Sequence, residues 1–193
     1  MIKALIFDFA GVIGVDAYWI WLEENVPDLA LQRVYFQALA DQVDRAEISN
    51  QEFVRLIAER LGVNSEEVWP QIYEKLVINK ELLAFIEQLK KKYTIALLSN
   101  YTYEWLEEVI ARENLAPLFD TIFISSRYAS IKPEADAFQK VLERLHVAPQ
   151  EAVFIDDRQI NVDGARNLGI QAVLFTDVAQ LRQDLASLGV VAG

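Results

Sequence analysis

Ala4-Leu5-Ile6-Phe7-Asp8-Phe9-Ala10-Gly11-Val12-Ile13 is the stretch on which the reading of this chain turns. A short apolar run that ends on a carboxylate and a glycine has the pattern of a buried strand, and it delivers Asp8 to the carboxyl end of a sheet. Open α/β sheets place their ligands at that end. The carboxylate is therefore a candidate functional group.

Beyond this run the pattern changes. Residues 14 to about 78 read as helical and show no strand. Leu31, Val34, Tyr35, Ala38 and Leu39 recur at helical spacing over 28–43. Ser49-Asn50-Gln51-Glu52 reads as a capping box that opens a helix bearing Phe53, Leu56, Ile57 and Leu61, with Gly62 as its stop. Asn64-Ser65-Glu66-Glu67 starts another with Val68, Ile72 and Leu76, in which Pro70 takes the first turn or makes a kink. Three helices between two strands predict an inserted unit. From residue 80 onward, helices (80–92, 103–112, 134–145, 160–168, 178–188) alternate with strands (94–98, 121–125, 152–155, 172–175). That alternation implies parallel pairing through right-handed crossovers. The expected fold is α/β: a Rossmann-like, doubly wound parallel sheet from residues 1–13 and 79–193, with an inserted α-helical cap at 14–78.

Composition narrows the function. With 53% hydrophobic and 24% charged residues, the 193-residue chain is expected to be globular. Its 18 basic and 29 acidic residues leave a net charge of −11, which opposes non-specific binding to nucleic acid or anionic membrane. No apolar run approaches the ~20 residues that span a bilayer, and the N-terminus enters a strand at once, so a cytoplasmic monomer or homodimer is expected. The absence of cysteine excludes disulfides, thiolate metal sites and thiol nucleophiles. An anionic substrate would need a local metal or lysine.

Polar residues follow the first four strands in a pattern that supplies both. They are Asp8, Ser99 with Asn100, Lys132, and Asp156 with Asp157. A nucleophilic carboxylate needs an electrophile held in line, and a phosphoryl group brings negative charge that must be neutralised. Mg²⁺ and a lysine do this, the ion taking one or two carboxylates and a carbonyl. Ser99 and the backbone N–H groups near Asn100, at a strand-to-helix turn, are suited to other phosphate oxygens.

These four segments resemble, in order, the signatures of the haloacid dehalogenase-like (HAD) hydrolases. Asp8 matches the nucleophile and Val12 the Thr/Val position of the first signature. Leu97-Leu98-Ser99-Asn100 is similar to the second, Lys132-Pro133-Glu134 to the third, and Phe154-Ile155-Asp156-Asp157 with Asn161 to the fourth. The resemblance implies a Mg²⁺-dependent phosphatase acting on a small phosphorylated metabolite through an aspartyl-phosphate. It implies metal ligation by Asp8, the Ala10 carbonyl and one of Asp156 or Asp157, with Asp157 favoured as the direct ligand. It assigns Asp8, Ser99 and Lys132 to catalysis, and Ser99, Asn100 and Lys132 to phosphate. The helical insert resembles the small cap that selects substrate.

Ala10 departs from the pattern, because most phosphatases of the family carry an aspartate there as general acid and base. That work is typically worth ~10² to 10⁴-fold in rate, and a methyl group cannot do it. Phosphonoacetaldehyde hydrolases carry alanine but need a cap lysine, and no lysine lies between Lys3 and Lys75. A 2-haloacid dehalogenase is an alternative, although it needs no metal and no Asp156-Asp157 pair. A catalytically weak phospho-ligand-binding protein is another. Elsewhere the plainer readings hold: His146 is a helix-end residue, Tyr18, Trp19 and Trp21 are core of the insert, and Arg33, Arg45, Arg55 and Arg60 lie on solvated faces.

Overall fold

The computed structural model describes residues 1–193. Five parallel strands form one sheet in the order β3-β2-β1-β4-β5, with β1 (Ala4–Phe7), β2 (Thr94–Ser99), β3 (Thr121–Ile124), β4 (Ala152–Asp156) and β5 (Gln171–Leu174). Successive side chains of a strand point to opposite faces. Leu5, Phe7, Ile95, Leu97, Val153 and Ile155 thus share one core with the helices at Lys80–Leu89, Tyr103–Arg112 and Val178–Ser187. Ile6, Ala96, Leu98 and Phe154 share the other with those at Ala135–Leu145 and Gln159–Asn167. Both faces are covered, so the strands carry unbroken apolar runs. The order reverses direction at β1, which makes the carboxyl end of β1 the topological switch point.

The insert leaves and rejoins the sheet along adjacent segments, tied by Val15 N–H to Val77 O (3.1 Å) and Asn79 N–H to Ile13 O (2.9 Å). It holds four helices rather than three: α1 (Ala17–Asn25), α2 (Leu29–Asp44), α3 (Asn50–Leu61) and α4 (Ser65–Glu74). Residues 17–22 of α1 are apolar around the whole helix and show no period, which hides it from a periodicity search. Asp16 caps it, accepting from Trp19 N–H. The inward stripe of α2 also differs from the expected one. Of the expected stripe only Leu39 is buried; Leu31 and Val34, at 85% and 82%, and also Tyr35 and Ala38 are exposed, and Phe36 and Val43 are buried with Leu39 instead. Helix α2 carries two apolar stripes, and only packing chooses between them. Pro70 lies in the interior of α4, past its first turn, where it removes the N–H that would bond to Glu66 O.

Numbering onward in chain order, α5 is Lys80–Leu89, α6 Tyr103–Arg112, α7 Ser125–Tyr128, α8 Ala135–Leu145, α9 Gln159–Asn167 and α10 Val178–Ser187. No helix is long and apolar enough to cross a membrane. Trp105 of α6 belongs to the apolar core of the insert, where its ring stacks on Trp69 (centroids 4.4 Å apart) and meets Phe53 edge-on. Trp69 Nε1–H also donates to Glu108 (2.7 Å), and Tyr73 O–H donates to Glu113 (2.8 Å). On the other flank, Arg45 pairs with Glu134 at 2.6 Å. The insert is thus held to the sheet domain on two sides of the β1 carboxyl end. Trp105→Ala removes the central ring of this packing and is expected to cost about 3–5 kcal/mol, read as a lower urea midpoint.

Candidate active site

Main-chain geometry places the first carboxylate. Asp8 N–H continues the ladder by donating to Ile155 O (2.9 Å), and the next peptide, Phe9 N–H, donates to Asp8 Oδ1 (2.7 Å). The chain then turns sharply, with the N–H groups of Val12, Ile13 and Gly14 all directed at Phe9 O. Gly11 sits in this turn at φ +81°, and a β-carbon there would run into the Asp157 carboxylate. The glycine leaves that space to Asp157.

Lys132 reaches the same point from the loop after α7. Its side chain is 1% exposed, and Nζ lies 2.7 Å from both Asp8 Oδ1 and Asp156 Oδ2. Asn100 fixes the lysine's backbone from both sides: Lys132 N–H donates to Asn100 Oδ1 (2.8 Å) and Asn100 Nδ2–H to Lys132 O (2.9 Å). The Asn100 side chain is therefore committed to positioning Lys132, not free for a phosphate. Asp156 is buried and saturated, accepting also from Arg158 N–H (2.8 Å) and from Asn161 Nδ2–H (3.0 and 3.1 Å). Asn161, which could have been only a helix cap, orients Asp156. Asp157 is exposed and carries no such partners. Ser99 Oγ is fully buried with no hydrogen-bond partner.

Carboxylate oxygens of Asp8, Asp156 and Asp157 lie within 4.8 Å of one another, with one ammonium among them. Burial pushes the Asp8 pKa up, Lys132 pulls it back and Asp156 adds to the rise, leaving it at about 8. Burial acts against Asp156 as well, but Lys132 and the Arg158 and Asn161 donors outweigh it and hold that carboxyl below its ordinary value. Lys132 stays above the ordinary lysine value because the two carboxylates outweigh its desolvation. Asp157 is raised by desolvation and by the charge of Asp156. Three carboxylates around one ammonium leave two negative charges unmatched, and a divalent cation fits that deficit and would draw the Asp8 proton off.

A partly open cavity of about 100 Å³ lies between this cluster and the insert. Asp8, Ala10, Asn100, Lys132 and Asp157 line it, whereas Ser99 and Asp156 lie behind its wall. From the insert come Asp16, Gln37, Asp41 and Asp44, none of them singled out from sequence, together with Tyr18, Trp19 and Phe53. Tyr18 is both core of the insert and a lining residue of the cavity, Trp19 packs against that core and also lines the cavity, and Trp21 is core alone. Asp16 had a legible helix-cap signal; Asp41 and Asp44 had none. The four arginines of the insert do not line the cavity. Arg33 stacks on Trp19, Arg45 holds Glu134, Arg55 pairs with Glu52 and Glu59, and Arg60 donates to Gln32. His146 is an exposed residue at the end of α8.

The sheet order, the strand-end carboxylates and the buried lysine define an α/β hydrolase site, and the family follows from comparison. A family model for haloacid dehalogenase-like hydrolases matches residues 2–169, and the chain belongs to that family. It is 26% identical to D-ribitol-5-phosphate phosphatase of Bacteroides thetaiotaomicron over 96% of this chain and 97% of that protein. It is 30% identical to (S)-2-haloacid dehalogenase of Xanthobacter autotrophicus over 58% of this chain and 42% of that one. A solved structure of a HAD family enzyme from B. thetaiotaomicron, in complex with magnesium and inorganic phosphate, superimposes with a TM-score of 0.77 at 25% identity, covering 94% of this chain and 99% of that one.

Replacing Lys132 tests the electrostatics of the cluster. Lys132→Met leaves Asp8 and Asp156 facing each other without their counter-ion, and breaking a buried pair in this way costs about 3–5 kcal/mol. The deficit against the parent is expected to grow as pH rises through about 8, where Asp8 ionises in the parent, and to shrink as pH falls through the ordinary carboxylate range, since protonated carboxyls no longer repel. Denaturant melts at two pH values read this directly.

Proposed function

We propose that this chain is a Mg²⁺-dependent phosphomonoesterase that transfers the phosphoryl group of a compact alcohol ester to Asp8 and then to water. The observation that carries this reading is the cluster of Asp8, Asp156 and Asp157 around the single buried ammonium of Lys132. Asp8 and Asp157, with the Ala10 carbonyl, would hold the Mg²⁺, which neutralises phosphoryl oxygens and favours the ionised form of Asp8. Asp8 attacks phosphorus in line with the leaving oxygen, from a position fixed by β1 and by its hydrogen bond from Phe9 N–H. Lys132 Nζ, already 2.7 Å from Asp8 Oδ1, balances charge on the phosphoryl oxygens in the same reach. Ser99 Oγ is buried without a partner directly behind the cavity wall, so this reading gives it a phosphoryl contact only if the wall yields on binding. Asp156 acts through Lys132 and Asn161 rather than on substrate.

The cavity also bears on the leaving group. Its insert side presents three acidic side chains and no arginine or lysine, while Arg158 and Lys132 line it from the sheet side, so a second anionic group on the substrate finds no cation on the insert. The phosphatase relative named for D-ribitol 5-phosphate, an ester of a neutral polyol, supports the same direction.

Phosphate release from a panel of phosphomonoesters is expected to require Mg²⁺ and to stop with a chelator. Halide release from 2-chloropropionate that survives the chelator would replace this reading with the dehalogenase one. Asp8→Asn is expected to reduce release to background without unfolding the protein. Calorimetric Mg²⁺ titration is expected to show a loss of about 10–100-fold in affinity for Asp156→Ala, the usual cost of removing an outer partner, and a larger loss for Asp157→Ala.

A further inference from the structure

The missing acid at position 10 has a candidate replacement on the insert. We propose that Asp44, at the C-terminal turn of α2, is the general acid and base of the reaction, supplied across the cavity in place of a side chain at position 10. The inference rests on the phosphomonoesterase reading given above.

Two geometric observations place it. Asp44 lines the same cavity of about 100 Å³ as Asp8, Ala10 and Lys132. Asp44 and Asp8 thus face the same small cavity, one from the insert and the other from the sheet. Arg45, the next residue, pairs with Glu134 at 2.6 Å, and Glu134 is two residues from Lys132. The end of α2 is therefore clasped to the loop that carries the catalytic lysine, and Arg45 is a positioning residue.

Asp44 is also distinguished from its neighbours by what it does not do. Asp16 caps α1 by accepting from Trp19 N–H, and Asp41 accepts from Gln37 Nε2–H at 2.8 Å. Asp44 makes no ion pair or hydrogen bond through its side chain. The groups that act on it are Asp41, Asp16 and Asp8, which favour its protonated form, and Lys132, which opposes them; burial is the largest influence and raises its pKa well above the ordinary value. A carboxyl kept protonated on the wall of a cavity that a nucleophile also lines can donate a proton.

The proton balance is complete. As the Asp8 oxygen–phosphorus bond forms and the phosphorus–oxygen bond to the alcohol breaks, the Asp44 proton passes to the departing oxygen, releasing a neutral alcohol and leaving Asp44 ionised. Water then attacks the aspartyl-phosphate, Asp44 takes its proton, and Asp8, inorganic phosphate and protonated Asp44 are restored. An alcohol with a high pKa needs this proton; p-nitrophenolate does not.

The test compares kcat/KM for an alkyl ester, sn-glycerol 3-phosphate, with that for p-nitrophenyl phosphate, because kcat/KM reports the first transfer. Asp44→Asn is expected to raise the aryl-to-alkyl ratio by about 10² or more, and Arg45→Ala to move it the same way by less. Adding Ala10→Asp to Asp44→Asn is expected to bring the ratio back, which a purely structural defect would not allow. An unchanged ratio in Asp44→Asn overturns the proposal. So does a parent protein that hydrolyses neither ester while Ala10→Asp hydrolyses both, although the phosphomonoesterase reading then stands. If neither the parent nor Ala10→Asp releases phosphate from any ester, that reading fails and the proposal with it.

Discussion

The lysine ammonium held between Asp8 and Asp156 is the interaction on which the arrangement of the sheet edge depends. Burying three charged groups is unfavourable unless each finds partners, and here each does. Asp156 is saturated by Lys132, Asn161 and the Arg158 peptide, and Lys132 is held by two carboxylates while its backbone is clamped by Asn100. The three charges come from segments far apart in the chain, the ends of β1 and β4 and the loop after α7, so they meet only in the completed sheet. Close packing supports the meeting. A β-carbon on Gly164 would come within 2.8 Å of Pro133, so the glycine lets α9 approach the loop that carries Lys132.

The same cluster explains why its two adjacent aspartates divide their work. Asp156 ends β4 with its side chain directed inward under the lysine, and all of its acceptor capacity is spent. Asp157, one residue on, leaves the strand and stands over Gly11 with its oxygens open to solvent. A saturated carboxylate and an open one thus arise from consecutive identical residues because the strand ends between them.

Much of the sheet domain was legible in the sequence, and the reason is physical. Parallel strands buried on both faces read as apolar runs, and their ends carry the polar residues. Asp8, Ser99, Lys132 and Asp156 could therefore be placed in order from the chain alone. The helical insert was less legible. Helix α1 is apolar on all sides, and α2 offers Leu31 and Val34 as well as Phe36, Leu39 and Val43 as a core face; the packing of the insert selects the second set. Asn100 was expected near phosphate through backbone N–H groups and does line the cavity, but the role of its side chain in clamping the lysine backbone is a pairing across 32 residues that no local pattern signals. Asp41 and Asp44 were invisible for a related reason, since acidic residues near a helix end usually face solvent.

Position 10 shows what such a division of structure permits. Nucleophile and metal ligands must hold a geometry fixed to fractions of an ångström, and only the sheet edge provides that rigidity. A proton donor needs no more than hydrogen-bond reach of one oxygen while the site is closed. It can sit on the insert without loss of precision, provided that something holds the insert in place over the substrate. The Arg45–Glu134 pair and the Trp105 stack do so from opposite flanks. An acid placed on the insert would tie protonation of the leaving group to the position of the insert. An aspartate at position 10 would impose no such condition, because it belongs to the same turn as the nucleophile.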